Sequence, residues 1–553
     1  MDRLTIAEAL RSIASYLELD GAPRFRVDAY VRGARAVEAT KNLDTLAAQR
    51  RLTELPGIGH GLARVIDELL VTGRSTLLEQ LEAAMPPGAK ELAPVATRKQ
   101  IERLHAALGV TTIAELEAAC RAGRVREVSG FGVATEAKLL AKIERFHVVP
   151  PALRLRAARV AADKILDYVR GQSDIAHIEV VGAVLRGEET LDHIELLALG
   201  DEHALALARM AFERQPAAIE VSHAAAAVSA RYVDGTRATL HLAPLDDAGR
   251  ARVRAIGPAS HVADVEACLP KSTDLSYPDE AAVYAAIGSA VPPPELRDVP
   301  GILGAAPVVL VEAHELRGAI HCHTTFSDGK DSVLAMARAA EARGLDYITI
   351  TDHSPTASYA GGCDIDKLMR QWEAIDEAQA ETRVRILRGT ESDILADGAL
   401  DYPDHILERL DIIIASIHNR YQQDEDAMTR RLVRAMRHPL QKVWGHPFGR
   451  LLLRRPPVPC RFDEVVEAIV ESDAIIELNG DPWRMDMGSA PARHAHALGV
   501  RRFVVSVDAH AVDELRNVQT GITLARRAGL SRAEVLNTRD VDGFLAAVRP
   551  TRG

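Results

Sequence analysis

No run of about 18 uncharged apolar residues occurs in this 553-residue chain, so no membrane-spanning helix and no membrane partner are expected. No CxxC pair occurs either. Cys120, Cys268, Cys322, Cys363 and Cys460 are scattered, which fits reduced thiols in a cytoplasm rather than a disulfide framework. The opening MDRLTIAEAL lacks a basic-then-apolar stretch, so no signal peptide is expected and the location is read as cytoplasmic. Positive charge is not in excess: 67 basic against 78 acidic residues leave a net charge of −11. That excludes a chain coated in basic charge, yet nucleic-acid binding depends on local patches and stays open. No low-complexity tract is present. What remains is the balance of an ordinary globular protein, 47% apolar and 26% charged. At about 150 residues per domain, the length predicts about three or four domains.

Residues 1–85 read as amphipathic helices around a glycine-rich break, closed by Pro86, Pro87 and Gly88. Residues 86–150 are helical again, with a second break at Ser129-Gly130-Phe131-Gly132. From 151 to 299 a helix, LRAARVAADKILDYVR, precedes strand-like IEVVGAV, HIELLAL and RATLHLA, the mixture of an α+β unit. Pro292, Pro293, Pro294 and Pro300 mark a linker. Residues 316–553 change rhythm. Short apolar strands (GAIHCH, YITITDH, VRILRGTE, IIIASIH, AIIELNG, RFVVSVDAH) alternate with helical stretches, the pattern of a parallel α/β barrel.

Eleven of the 20 histidines fall in residues 314–553. His321, His323, Asp328, His353, Glu391, His418, His446, Asp508 and His510 sit at or just beyond predicted strand ends. Alternation along a strand puts His321 and His323 on one face, and likewise Asp508 and His510. A parallel barrel opens all its strand C-termini on one rim, where such enzymes build their sites. One strand-terminal His is ordinarily a solvated loop residue; nine metal-type side chains at successive ends are not explained by solvation. Imidazole with carboxylate suits Zn, Mn or Fe, and grouped ions suit phosphoester hydrolysis. His314, His405, His438, His494 and His496 lack this placement and read as surface or helix-packing residues.

The two glycine breaks repeat one arrangement. Gly57, Gly59 and Gly61, in LPGIGHGLA, and Gly130 and Gly132, in VSGFGVA, each join two helices through a tight turn. Such a turn exposes backbone N–H groups at a helix N-terminus, where a phosphate oxygen can bind. Both resemble helix-hairpin-helix motifs, which hold DNA backbone without reading sequence. Arg24, Arg26, Arg32 and Arg35 add a local basic stripe.

IHCHTTFSDG, ITDHS, GTESDIL, ASIHN, GHPFGRLL and SVDAH, spread over residues 316–553, resemble the PHP (polymerase and histidinol phosphatase) phosphoesterase family. With the hairpins, FRVDAYVRGARAVE, RGEET and DEAAVYAAIGSAVPPPELR, the whole chain resembles a bacterial family X DNA polymerase carrying a C-terminal PHP domain. The resemblance implies a multidomain protein. Two helical helix-hairpin-helix domains (1–85 and a fingers-like 86–150) would precede an α+β nucleotidyltransferase-like palm and thumb (151–299). A distorted (β/α)7 PHP barrel (316–553) would follow. It further implies three divalent ions, Mn, Zn or Fe rather than Mg. The first would take His321, His323, Glu391 and Asp508; the second Glu391, His418 and His446; the third Asp328, His353 and His510. Arg420 and Arg450, just after two of these ligands, are candidate catalytic groups for substrate phosphate, since a guanidinium fork matches its oxygens.

The same resemblance points to a degenerate polymerase centre. The family's palm carries a serine and paired arginines before its first two catalytic aspartates, and a third aspartate on a neighbouring strand. Here Ala183 and Leu185 replace the serine and one arginine, and His193, Glu195 and Thr239 occupy the three acidic positions. Asp192 sits one residue early and is expected to face the wrong side. The thumb has Ile256-Gly257-Pro258 in place of a TGS-type turn, and Val65 occupies the position where related lyases carry a Schiff-base lysine. The expected activity is a DNA-processing phosphodiesterase, a 3′–5′ exonuclease or abasic-site endonuclease in repair. It would act as a monomer on DNA ends, gaps or abasic sites, with synthesis lost or very weak. Three alternatives stay open: an active gap-filling polymerase, a non-catalytic DNA-binding scaffold and a small-molecule phosphatase of the histidinol-phosphate type.

Overall fold

The computed structural model describes residues 3–551 except 21, 41–42, 56, 93–94, 149–151, 216–217 and 271–275. Contacts divide the chain into two compact units, residues 1–151 and 152–553. Among the described residues no helix is long and apolar enough to cross a membrane.

The first unit is helical and its hairpins are structural repeats. A 3-10 turn at Leu52–Glu54 leads to a glycine turn and then helix α1 (His60–Thr72); a 3-10 turn at Val125–Glu127 leads likewise to α2 (Val133–Val148). Gly57 and Gly130 take φ of +82° and +86°, a region that disfavours side chains. Ile58 N donates to Leu55 O at 3.1 Å, and Phe131 N to Val128 O at 2.9 Å. Ile58 and Phe131 are buried, so one apolar residue anchors each turn while its neighbours Gly59 and Gly132 are exposed. Gly61 differs from the expectation: it lies inside α1 rather than in the turn, because helix geometry resumes at His60. Arg26 and Arg32 are exposed; Pro56 and the side chains of Arg24 and Arg35 lie outside the described residues. Val65 is buried in the helical core, as an apolar residue should be.

Besides a short antiparallel pairing of Leu153–Arg154 with Thr190–Leu191, the second unit holds two sheets. The smaller is formed by β1 (His177–Val181), β2 (Ile194–Gly200), β3 (Ala218–Ala224), β4 (Ala227–Tyr232) and β5 (Arg237–Pro244). Their spatial order is β1-β2-β5-β4-β3, with only β2 and β5 parallel. The larger is formed by β6 (Gly318–Cys322), β7 (Tyr347–Ile350), β8 (Arg385–Asp393), β9 (Ile412–Ser416), β10 (Val443–Trp444), β11 (Ile475–Asn479) and β12 (Phe503–Ser506), all parallel and in sequence order. A parallel bridge between Cys322 and Ala509 nearly closes it, with His323 N donating to Ala509 O at 2.8 Å. Strands such as IIIAS are buried along their whole length, as parallel strands covered on both faces must be. Helices fill the crossovers, several capped by the side chain before them: Ser332, Asp364 and Asp424 each accept from the N–H three residues on.

Inside the barrel, Ile320, Leu387, Ile412, Ile414, Val443, Ile475 and Val504 form an apolar plug with Phe544. Period two along a strand puts Glu391 on the face of Leu387 and Glu477 on the face of Ile475. The plug closes one end, and the polar residues gather at the other. No packing gap separates the two sheets of this unit: one apolar cluster runs from Leu155 through the small sheet to Val535. A domain boundary near 300–316 is therefore visible in the linker prolines but not in the core.

Candidate metal centre

All nine strand-end side chains meet at the barrel mouth. Donor atoms fall within 4.8 Å of one another in four overlapping groups: His323, Asp328, His353 and His510; His321, His323 and Asp508; His321, Glu391 and His446; and His353, Glu391 and His418. Glu391 is the hub. Its Oε1 lies 3.3, 3.1 and 2.7 Å from Nε2 of His321, His418 and His446, and its Oε2 lies 2.9 Å from His353 Nδ1. The grouping departs in detail from that implied by resemblance. His446 approaches Glu391 on the His321 side, with its Nε2 2.7 Å from Oε1, and His353 rather than His446 stands with His418.

The second nitrogen of several rings is tied off from behind. His321 Nδ1 donates to Glu477 at 2.6 Å, His418 Nδ1 to Asp393 at 2.5 Å, and His510 Nδ1 to the carbonyl of Asp508 at 2.9 Å. These bonds set the tautomer and turn Nε2 inward. His321 Nε2, both ring nitrogens of His323, His418 Nε2 and Glu391 Oε2 are buried and make no hydrogen bond among the described residues. Buried polar atoms rarely go unpaired, and a cation satisfies this inward set, so the residues fit divalent ions.

Electrostatics agrees. Burial alone disfavours charge, yet the surrounding imidazoles outweigh it and hold Glu391 and Asp508 well below the usual carboxylate range. Against the same burial, the carboxylates raise His321 and lift His418 and His510 to about 9. His323 is pushed down to about 3 by burial and by the neighbouring His353 and His510. Three of the nine also bend the chain. His321, His446 and Asp508 take φ of 64°, 21° and 49°, left-handed values that cost non-glycine residues about 1–3 kcal/mol each and persist where surroundings enforce them.

Glu477 and Asp393 were not anticipated, although both lie on the inward face of a strand by period two. Glu477 also accepts from the backbone N–H of His446, so it braces two candidate ligands. Glu477→Gln and Asp393→Asn are expected to weaken divalent-metal affinity by about tenfold to a hundredfold with the fold retained. Chelator competition and a thermal melt check both halves.

The two arginines separate. Arg420 is exposed just past His418, with φ 55°. Arg450 is held by protein groups: its guanidinium donates to Glu189 Oε2 at 2.7 Å and to the carbonyls of Arg484 and Met485. The cation that does enter the cavity is Arg484, whose Nε stands 3.2 Å from Asp508 Oδ2.

In the small sheet, Glu195 and Thr239 are paired across the parallel β2 and β5, and His193 immediately precedes β2. The Thr239 hydroxyl shares a hydrogen bond with Ser229 at 2.9 Å. Asp192 is exposed and accepts from His193 Nδ1 at 2.8 Å. Burial raises Glu195, but the His193 ring 3.7 Å away and the hydrogen bond with His241 at 3.2 Å outweigh it and hold the carboxyl at about 2. The Glu195 carboxylate 3.7 Å away, with Asp192, lifts His193 to about 9 against burial. At neutral pH the position therefore carries an imidazolium, where a cation site needs an anion. This pair stabilises the fold fully only below the ordinary His value of 6.5 and above the ordinary Glu value of 4.5. It fades as pH rises through about 9 or falls through about 2. The His193 ring is expected to titrate by NMR near 9 and to return toward 6.5 in Glu195→Gln.

A helix-hairpin-helix domain is matched over residues 1–75 and a PHP domain over residues 319–480. The chain is 30% identical to the DNA polymerase/3′–5′ exonuclease PolX of Bacillus subtilis, over 99% of each protein. Over 39% of this chain it is 30% identical to a probable phosphatase of Caldanaerobacter subterraneus, covering 85% of that protein. It is also 29% identical to a probable phosphatase of Acetivibrio thermocellus, covering 89%. The chain belongs to the bacterial family X DNA polymerases that carry a C-terminal PHP domain.

Proposed function

We propose that the barrel is a metal-dependent phosphodiesterase that degrades DNA from the 3′ end, and that the helical unit binds the DNA. The observation that carries this is the convergence of nine inward-facing donors at one barrel mouth, in overlapping groups that share Glu391. Divalent ions there, three in this reading and Mn, Zn or Fe by ligand type, supply Lewis acidity toward a phosphoryl oxygen and a lowered pKa for water. The ions would be held by His321, His323 and Asp508, by Glu391 with His321 and His446 on one side and His353 and His418 on the other, and by His323, Asp328, His353 and His510. The chain's own residues prepare the site. Glu477 and Asp393 hold the imidazoles, Glu391 and Asp508 stay ionised, and Arg484 and Arg420 offer positive charge to an incoming phosphate.

The hairpins support DNA as substrate. Gly57, Gly59, Gly130 and Gly132 would present backbone N–H groups to phosphate oxygens without reading bases, with Arg32 beside the first turn. Gapped and abasic DNA are the repair substrates this arrangement suits, and a monomer suffices because both parts lie on one chain. Templated synthesis is read as lost, since His193 and Thr239 bring no negative charge to the palm. End-labelled single-stranded, gapped and abasic duplexes incubated separately with Mn, Zn and Mg test the proposal. Stepwise shortening from the 3′ end that stops with chelator supports it; intact DNA in all three metals, with p-nitrophenyl phosphate hydrolysed instead, favours a small-molecule phosphatase.

A further inference from the structure

The segment before β2 of the small sheet reaches toward the barrel mouth by a chain of polar contacts. Glu189, in the turn after Gly187, is largely buried. Its Oε1 accepts from the backbone N–H and hydroxyl of Ser489 at 2.8 and 3.1 Å, and its Oε2 accepts from Arg450 Nη2. Arg450 then holds the segment 484–486 at several points. Its Nε donates to the Arg484 carbonyl at 3.1 Å, its Nη2 to the Met485 carbonyl, and its backbone N–H to Asp486 Oδ2 at 3.2 Å. Gly488 leaves room for this pair: a Cβ there would stand 2.8 Å from Arg450 Nη1 and 3.0 Å from Glu189 Oε1. From the same side, the guanidinium of Arg154 stacks over the ring of Trp483, the residue before Arg484.

The segment so fixed delivers one charged group to the cavity. Arg484 Nε lies 3.2 Å from Asp508 Oδ2 and 3.8 Å from Asp481 Oδ2. Its Nη1 is buried and makes no hydrogen bond among the described residues. A buried guanidinium N–H without a partner is costly, and a phosphate oxygen satisfies it with a charge-assisted bond. Arg484 adjoins Asp508, whose other oxygen faces His321 and His323, so a phosphate bound among the nine donors would lie within its reach.

We propose that Arg484 binds the substrate phosphate and that Glu189, acting through Arg450, is its positioning residue, so that the polymerase-like part serves the hydrolytic centre. This rests on the phosphoesterase reading. It gives the RGEET segment a role that synthesis no longer explains, and it accounts for an arginine four residues after His446 that is bonded to Glu189.

The test uses the full-length, manganese-loaded protein. Inorganic phosphate binding is measured by calorimetry, bis(p-nitrophenyl) phosphate hydrolysis by steady-state kinetics, and metal content alongside. Arg484→Ala is expected to weaken phosphate binding about tenfold to a hundredfold with metal content unchanged. Glu189→Ala should weaken it about tenfold, mainly through KM, and Glu189→Gln, which keeps an accepting oxygen, should recover part of the loss. Because the two act in series, adding Glu189→Ala to Arg484→Ala should cost nothing more. Unchanged phosphate affinity in Glu189→Ala, a lowered melting temperature as its only effect, or fully additive losses would each overturn the proposal. A wild-type protein that loads manganese but neither binds phosphate nor hydrolyses the diester would bring down the phosphoesterase reading, and this proposal with it.

Discussion

His323→Ala and Asp508→Ala are each expected to reduce phosphodiester hydrolysis by about a thousandfold or more while DNA affinity changes less than about twofold. Both side chains are buried at the barrel mouth, and each belongs to the donor group with His321. His323 belongs to a second group as well, with Asp328, His353 and His510, so its loss disturbs two ion positions together. Lewis-acid catalysis supplies several kcal/mol of transition-state stabilisation, and each 1.36 kcal/mol is tenfold in rate, so removing a ligand forfeits about three powers of ten. DNA affinity should persist because the hairpin turns lie in residues 57–59 and 130–132 of the other unit. Single-turnover digestion of a labelled strand, with fluorescence anisotropy on the same duplex, measures both quantities. Undiminished digestion by both variants, from preparations free of contaminating nuclease, would contradict the assignment.

Primer extension is expected to give no incorporation above background with either Mg or Mn. Nucleotidyl transfer needs two ions held by carboxylates, and Mg in particular demands near-ideal oxygen ligands. Of the three palm positions only Glu195 is acidic, and its charge is already engaged by His193 and His241. Thr239 is bonded to Ser229, and Asp192 points to solvent. No rearrangement of side chains within these strands converts that set into three converging carboxylates. Robust incorporation that disappears in Glu195→Ala would show that the palm has built a working site from other residues.

How much of this was readable beforehand follows from where each signal resides. The nine strand-end residues were legible because each is a metal-type side chain in a short local motif, and parallel strands open on one rim. Arg450 is hard to place from sequence for the opposite reason. Its place four residues after His446 is local, but its direction is set by Glu189, 261 positions away along the chain. Arg484 was missed because it follows a strand by several residues, in a loop with no periodicity, and its role depends on a bent segment held from outside. Glu477 and Asp393 were within reach of the period-two rule, but motifs drew attention to the strand ends instead. Both hairpins were legible from glycine spacing; the displacement of Gly61 into the helix was not, because spacing does not reveal the residue at which helical hydrogen bonding begins. The four segments read from proline and glycine punctuation become two packed units, because punctuation marks turns while packing of side chains decides what moves together.

Anomalous diffraction from crystals grown in manganese tests the central claim most directly. Ions seated at the barrel mouth, bonded to His321, His323, Asp328, His353, Glu391, His418, His446, Asp508 and His510, are the predicted result. Imidazoles and carboxylates splayed apart with no anomalous signal among them, or manganese lodged beside Glu195 in the small sheet, would contradict it.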